Sequence, residues 1–118
     1  MDNWEIIKRL QKSDLNKEVV FHYDNTTEGN TPSSSIKKLQ VINKYDCIDY
    51  IEVRLDNLKF NDTTMKVKDL IFMILNDTMK NIKFKYKGKE VEIKDIITIN
   101  VPFTPIGVIV LLKNLEIE

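Results

Sequence analysis

The sequence predicts an α+β fold in which two tandem α-β-β-β modules, residues 1–60 and 61–118, share one core, with helices packed on a mixed or antiparallel sheet. Three observations lead to this expectation. The segment IKKLQVIN (Ile36–Asn43) returns as IKDIITIN (Ile93–Asn100), and IEVRLDNL (Ile51–Leu58) returns as VIVLLKNL (Val108–Leu115), both 57 positions later. KEVVFHYD (Lys17–Asp24) matches KNIKFKYK (Lys80–Lys87) 63 positions later, which assigns six extra residues to a loop of the first copy. Each copy also passes from helical to alternating apolar spacing, and 118 residues with 42% hydrophobic content suffice for one core but not comfortably for two.

Each element follows from its spacing. Trp4, Ile7 and Leu10 recur at helical intervals behind Asp2 or Asn3 as N-cap. Val67, Leu70 and Met73 take the matching positions behind Asp62, Thr63 and Thr64, so each module opens with a helix of about three turns. A strand comes next, because Val19, Phe21 and Tyr23 alternate with Glu18, Val20 and His22, as Ile82, Phe84 and Tyr86 do with Asn81, Lys83 and Lys85. The third segment keeps Ile36/Ile93, Leu39/Ile96 and Ile42/Ile99 apolar three apart, which fits a strand with a bulge or a helical turn leading into a strand. The last alternates again, Ile51, Val53 and Leu55 being answered by Val108, Val110 and Leu112. The pattern leaves the order of the strands open.

The copies differ in ways that point to partners. Ile71, Phe72, Ile74 and Leu75 replace Lys8, Arg9, Gln11 and Lys12, while Ile97, Val101, Ile106, Ile109 and Leu111 replace Gln40, Lys44, Asp49, Glu52 and Arg54. An element apolar on both faces must be covered on both, since exposure forgoes about 25 cal/mol per Å². Either the second module lies at the centre of the monomer, or Ile71, Phe72, Leu75, Phe103, Ile109 and Leu111 form the interface of a homodimer or partner complex. The first module carries a polar loop, Asp24–Ser35, which is either a tolerated insertion or a recognition loop offering Thr26, Thr27, Glu28 and Asn30. Along the second module Lys83, Lys85, Lys87 and Lys89 alternate with Phe84, Tyr86 and Gly88. That stripe either guards an edge strand or grips phosphates or an acidic protein; without arginine it is not suited to reading bases.

Composition narrows the function classes. Eighteen basic and 18 acidic residues cancel, so no global field favours nucleic acid or anionic lipid. The N-terminal stretch alternates charged and apolar residues, unlike a signal peptide, and Ile106–Leu112 is far shorter than the roughly 20 residues of a membrane span, so a cytosolic protein is expected. A lone Cys47 has no disulfide or zinc partner, and the only histidine, His22, aligns with Lys85 on a solvent-facing position. Asp46, Asp49 and Glu52 are spaced by three, which on a strand scatters them and makes only a nonspecific Mg²⁺ or Ca²⁺ site. No phosphate loop or dinucleotide fingerprint occurs, so neither enzymatic activity, cofactor nor metal is expected.

The segment IIKRLQKSDLNKEVVFHYDN (Ile6–Asn25) resembles the opening of many short phage and prophage proteins, in which a helix of the form LIxxLxxL leads through a turn into a strand of the form xEVVVxxD. The second copy, KVKDLIFMILNDTMKNIKFKYKGK, fits more loosely, lacking the acid or proline before its strand. The resemblance carries no catalytic residues with it. It implies a mobile-element setting, where small neutral proteins act by binding a host protein, including as stoichiometric, anti-CRISPR-like inhibitors of defence nucleases. Immunity or antitoxin proteins that neutralise a toxin, and nucleic-acid or nucleotide binders using the lysine strand, are the alternatives.

Overall fold

The computed structural model describes residues 1–24, 36–76 and 80–114. Its elements run α1 (Asn3–Leu10), β1 (Glu18–Asp24), β2 (Ile36–Asp46), β3 (Tyr50–Asn57), α2 (Val67–Leu75), β4 (Asn81–Tyr86), β5 (Lys89–Thr98) and β6 (Ile106–Asn114). The six strands close into one barrel in the order β1-β2-β3-β4-β5-β6. This corrects the α+β expectation: two short helices do not cover a sheet. Alternating strands each supply one apolar face, and curling the sheet on itself buries all six faces together and leaves no open edge.

Within each half the strands form an antiparallel meander, and two parallel seams join the halves, β3 with β4 and β6 with β1. Val19 lies opposite Val108 across one seam, and Ile82 opposite Ile51 across the other. The barrel therefore has a pseudo-twofold axis relating β1 to β4 at 63 positions and β3 to β6 at 57. The middle strands obey a different offset. Leu39 faces Phe21 as Val91 faces Phe84, and Val41 faces Leu55 as Ile93 faces Leu112, so β2 and β5 are related at 52 positions. The likeness of IKKLQVIN to IKDIITIN at 57 is thus out of structural register. Both middle strands carry a bulge at the equivalent place, Ile42 and Lys94. The first hairpin connection is consequently 11 residues longer than its counterpart, and the β5–β6 connection five longer than the β2–β3 turn.

The interior is built from twofold-related pairs. Phe21 meets Phe84 at a ring separation of 5.6 Å and Tyr23 meets Tyr86 at 5.4 Å. Around them Leu39/Val91, Ile51/Val108, Val53/Val110 and Leu55/Leu112 are all buried. Ile36 and Ile42 do not share the core face expected with Leu39. Ile36, an odd number of residues from the inward Leu39 on a regular stretch of strand, faces outward, and Ile42 is the bulged residue; both are exposed.

The helices touch each other at the barrel end where β1 and β4 begin. Their buried residues are Asn3, Ile6, Ile7 and Leu10 on α1 and Val67, Leu70, Ile71 and Ile74 on α2, a relation of 64 rather than 63 positions. Trp4, expected inside, is therefore 55% exposed. The α1 start is capped by the Asp2 carboxylate, which accepts from the Glu5 N–H at 2.8 Å. The start of α2 has no side-chain cap. Instead of the expected Asp62–Thr64 cap, the Val67 and Lys68 N–H groups donate to the carbonyls of Lys17 and Leu15 at 2.8 and 3.0 Å, tying the second helix to the first half. No helix among the described residues is long and apolar enough to cross a membrane.

Candidate functional site

Outward-facing positions along the two parallel seams carry unlike chemistry. On the β3/β4 seam Glu52, Arg54, Lys83 and Lys85 point away from the core, flanked by Tyr45 on β2. Among the described residues Glu52 is the one buried carboxylate, at 6% exposure. Arg54 Nε donates to its Oε2 at 2.6 Å, and Lys85 Nζ lies 3.3 Å from its Oε1. The Arg54 hydrogen bond, with help from Lys85, outweighs burial and holds the Glu52 carboxyl below the usual carboxylate range. In return Glu52 pushes Lys85 upward. Arg54 also lies over the Tyr45 ring, 4.1 Å from its centre, and Lys83 over Tyr50 at 4.7 Å.

The lysine stripe does not border an edge. β4 is paired on both sides, so guarding an edge strand is no longer an available role. Lys83 lies 3.7 Å from Glu90, Lys85 is paired with Glu52, and Lys87 sits over the Tyr86 ring. Lys87 and Gly88 both have positive φ, at 52° and 78°, which makes the tight turn into Lys89 and β5. A groove of about 470 Å³ lies at this cluster, lined by Ile42, Glu52, Arg54, Leu55, Lys85 and Lys87 among others. Its cations are largely answered by carboxylates of the same surface.

The six apolar interface candidates do not form one surface. Ile71 is buried in the core cluster, and Ile109 and Leu111 lie half-buried on the outside of β6. Phe72 and Leu75 are exposed on α2, and Phe103 is fully exposed in the β5–β6 connection. By the 64-position relation Phe72 stands where α1 has Lys8, and Leu75 where it has Gln11. Thr26, Thr27, Glu28 and Asn30 lie outside the described residues.

The remaining candidates are scattered. Asp46 pairs with Lys80 at 2.6 Å, well separated in role from Glu52, and no group of metal-ligating side chains occurs among the described residues. Cys47 is half-buried in the β2–β3 turn. His22 is half-buried on β1; burial, then Lys38 beside it, lowers its pKa from 6.5. Sequence reasoning overlooked the exposed Ile48 and Trp4 and the backbone of Phe103. Pro102 could have signalled the last, since the residue after a turn proline often needs positive φ. A scan against protein-family models finds no match, and comparisons with curated proteins and with solved structures find none either.

Proposed function

We propose that this chain is a non-enzymatic protein-binding barrel that acts by stoichiometric contact through the end bearing its two helices. The observation that carries this reading is Phe103. Its ring is wholly exposed and its φ is 69°, a left-handed backbone that bulky residues avoid. Pro102 followed by a left-handed residue is the arrangement of a type II turn, whose third position usually goes to glycine. Phenylalanine there forgoes both backbone ease and hydrophobic burial, a combination associated with function. The loop is also held firmly: Lys17 Nζ donates to the Val101 carbonyl at 3.3 Å, the Ile106 N–H to Thr104 Oγ1 at 3.3 Å, and the Glu18 N–H to the Pro105 carbonyl at 2.8 Å. An exposed aromatic on a firmly held backbone suits an interface anchor, because the loop itself needs no ordering on binding. Trp4, Ile48, Phe72 and Leu75 are exposed on the same end.

The resemblance to prophage proteins makes a host defence protein in the bacterial cytosol the first partner to try, and a nuclease toxin the second. The test is co-purification from such a host with the wild-type chain and with Phe103→Gly, which suits the turn. The expected result is a one-to-one complex recovered with wild type and lost with a folded Phe103→Gly variant. Equal recovery by both, or substrate turnover by the purified chain, overturns the reading. Mass measurement at micromolar concentration separates a partner complex from a homodimer through the same end.

A further inference from the structure

The pseudo-twofold axis exposes a place that is filled in one half of the barrel and open in the other. In the first half the connector Leu58–Lys66 lies along the β1–β2 junction. The Leu58 N–H donates to the Lys38 carbonyl at 2.8 Å, and Gln40 Nε2 donates to the Asp62 carboxylate at 2.8 Å. Further along, the Thr64 N–H and hydroxyl donate to the Glu18 carboxylate at 3.0 and 3.1 Å, and the Val19 N–H donates to the Met65 carbonyl at 3.0 Å. Val20, on the outward side of β1, is buried.

In the second half the equivalent hydrogen bonds are made by one side chain. Asn3 Nδ2 donates to the Lys80 carbonyl at 2.7 Å, as Val67 N–H does to Lys17, and Asn3 Oδ1 accepts from the Ile82 N–H at 3.3 Å, as the Met65 carbonyl does from Val19. The Asn3 amide thus stands in for the Met65 carbonyl and the Val67 N–H, groups of two successive peptide units, and is itself buried. Next to it, at the β4–β5 junction, lies a cavity of about 350 Å³ with an apolar floor of Met1, Ile6, Ile82, Val91 and Ile93. Its rim carries Asp2, Lys83, Glu90 and Glu92; Lys83 lies 3.7 Å from Glu90, and Lys113 pairs with Glu92 from outside the cavity at 2.8 Å. The equivalents of Glu90 and Glu92 in the filled half are Lys38, whose backbone carbonyl accepts from the Leu58 N–H, and Gln40, whose side chain meets Asp62. Two carboxylates thus stand where the filled half has one cation and one neutral amide.

We propose that this cavity takes an extended segment of a partner protein, laid as the connector lies in the first half, with an apolar side chain on the floor and a lysine or arginine where the connector has Asp62. The inference rests on the protein-binding reading and names a second contact for it. Symmetry supplies the path, and Glu92 in place of Gln40 supplies the charge, the partner's cation taking the position that Lys113 holds beside it.

The probes are blocked peptides with the connector sequence LKFNDTTMK (Leu58–Lys66) and its Asp62→Lys form, titrated into the isotope-labelled full chain by NMR. The lysine peptide is expected to shift the amides of Ile82, Lys83 and Glu90–Ile93 and to bind about tenfold more tightly than the parent peptide. Glu92→Gln, which keeps the wall's shape, is expected to remove most of that preference, and Glu92→Lys to reverse it. Shifts at none of these amides, or a preference indifferent to Glu92, overturn the proposal. So does a dissociable homodimer whose contacts map to these same residues, since a second copy would then own the cavity. If both peptides fail while a partner still co-purifies in a Phe103-dependent way, the cavity assignment falls and the binding reading stands.

Discussion

The two parallel seams of this barrel occupy equivalent places over one shared interior, and they solve the covering of that interior in opposite ways. On the β3/β4 seam the outward residues Tyr45, Glu52, Arg54, Lys83 and Lys85 form a charged, aromatic cluster around a buried carboxylate. On the β6/β1 seam the twofold-equivalent positions hold Ile97, Ile109, Leu111, Val20 and His22. The same backbone accepts an ion cluster or an apolar one, because an outer seam asks only that its groups satisfy one another. The contrast extends to single protons. Lys85 beside Glu52 is shifted upward, whereas His22, in the equivalent place with Leu111 opposite and Lys38 alongside, is shifted downward.

The strongest test of the shared interior is a matched pair of cavities. Leu55→Ala and Leu112→Ala, both at buried equivalent positions, are each expected to cost about 2–5 kcal/mol, and to cost alike. Denaturant unfolding measures both, and a large inequality would show that the halves do not share the core evenly. Next in size is a transplant across the seams. Ile109→Glu places a carboxylate among apolar neighbours with no arginine to meet it and is expected to cost about 1–3 kcal/mol. Adding Leu111→Arg is expected to recover part of that loss, and a strictly additive double mutant would show that the two seams are not interchangeable.

Acid sharpens the comparison further, with the two seams failing in different windows. The lowered His22 stays neutral in the folded chain while the unfolded chain takes up its proton near 6.5, so stability falls as pH drops below that value. The lowered Glu52 contributes fully above its unfolded value of 4.5 and loses that contribution as pH falls through the lower folded value. Urea titrations across pH are expected to lose the first slope in His22→Gln and the second in Glu52→Gln. The smallest effect is expected at the loop. Phe103→Gly removes left-handed strain from a phenylalanine that packs on nothing and is expected to leave stability unchanged or raise it by up to about 1 kcal/mol. A clear loss would mean that the ring supports the fold.

Much of the local structure was legible because it is written in side-chain period. Phe21, Tyr23, Phe84 and Tyr86 alternate and are buried, and the three-apart spacing around Leu39 did carry a strand bulge. The errors came where a polar atom found a partner that spacing does not reveal. Asn3 is buried because its amide bonds to the Lys80 carbonyl and the Ile82 N–H, which turns α1 so that Trp4 faces outward. Glu52 is enclosed because Arg54, two residues along its own strand, and Lys85, 33 residues away on β4, answer it. Of the interface candidates, Phe72, Leu75 and Phe103 stayed exposed, whereas Ile71 went to the core, since the helix register differs by one residue from that of the strands.

The sequence by itself determined the kinds of element, their order and the inward face of most strands, because each depends on neighbours within a few residues. Closure into a barrel, the four unequal offsets of the repeat, and the open cavity beside Asn3 were decided by the tertiary structure. Parallel seams join strands through long connections, and which strands meet depends on burying all the apolar faces at once, a condition that no single segment contains.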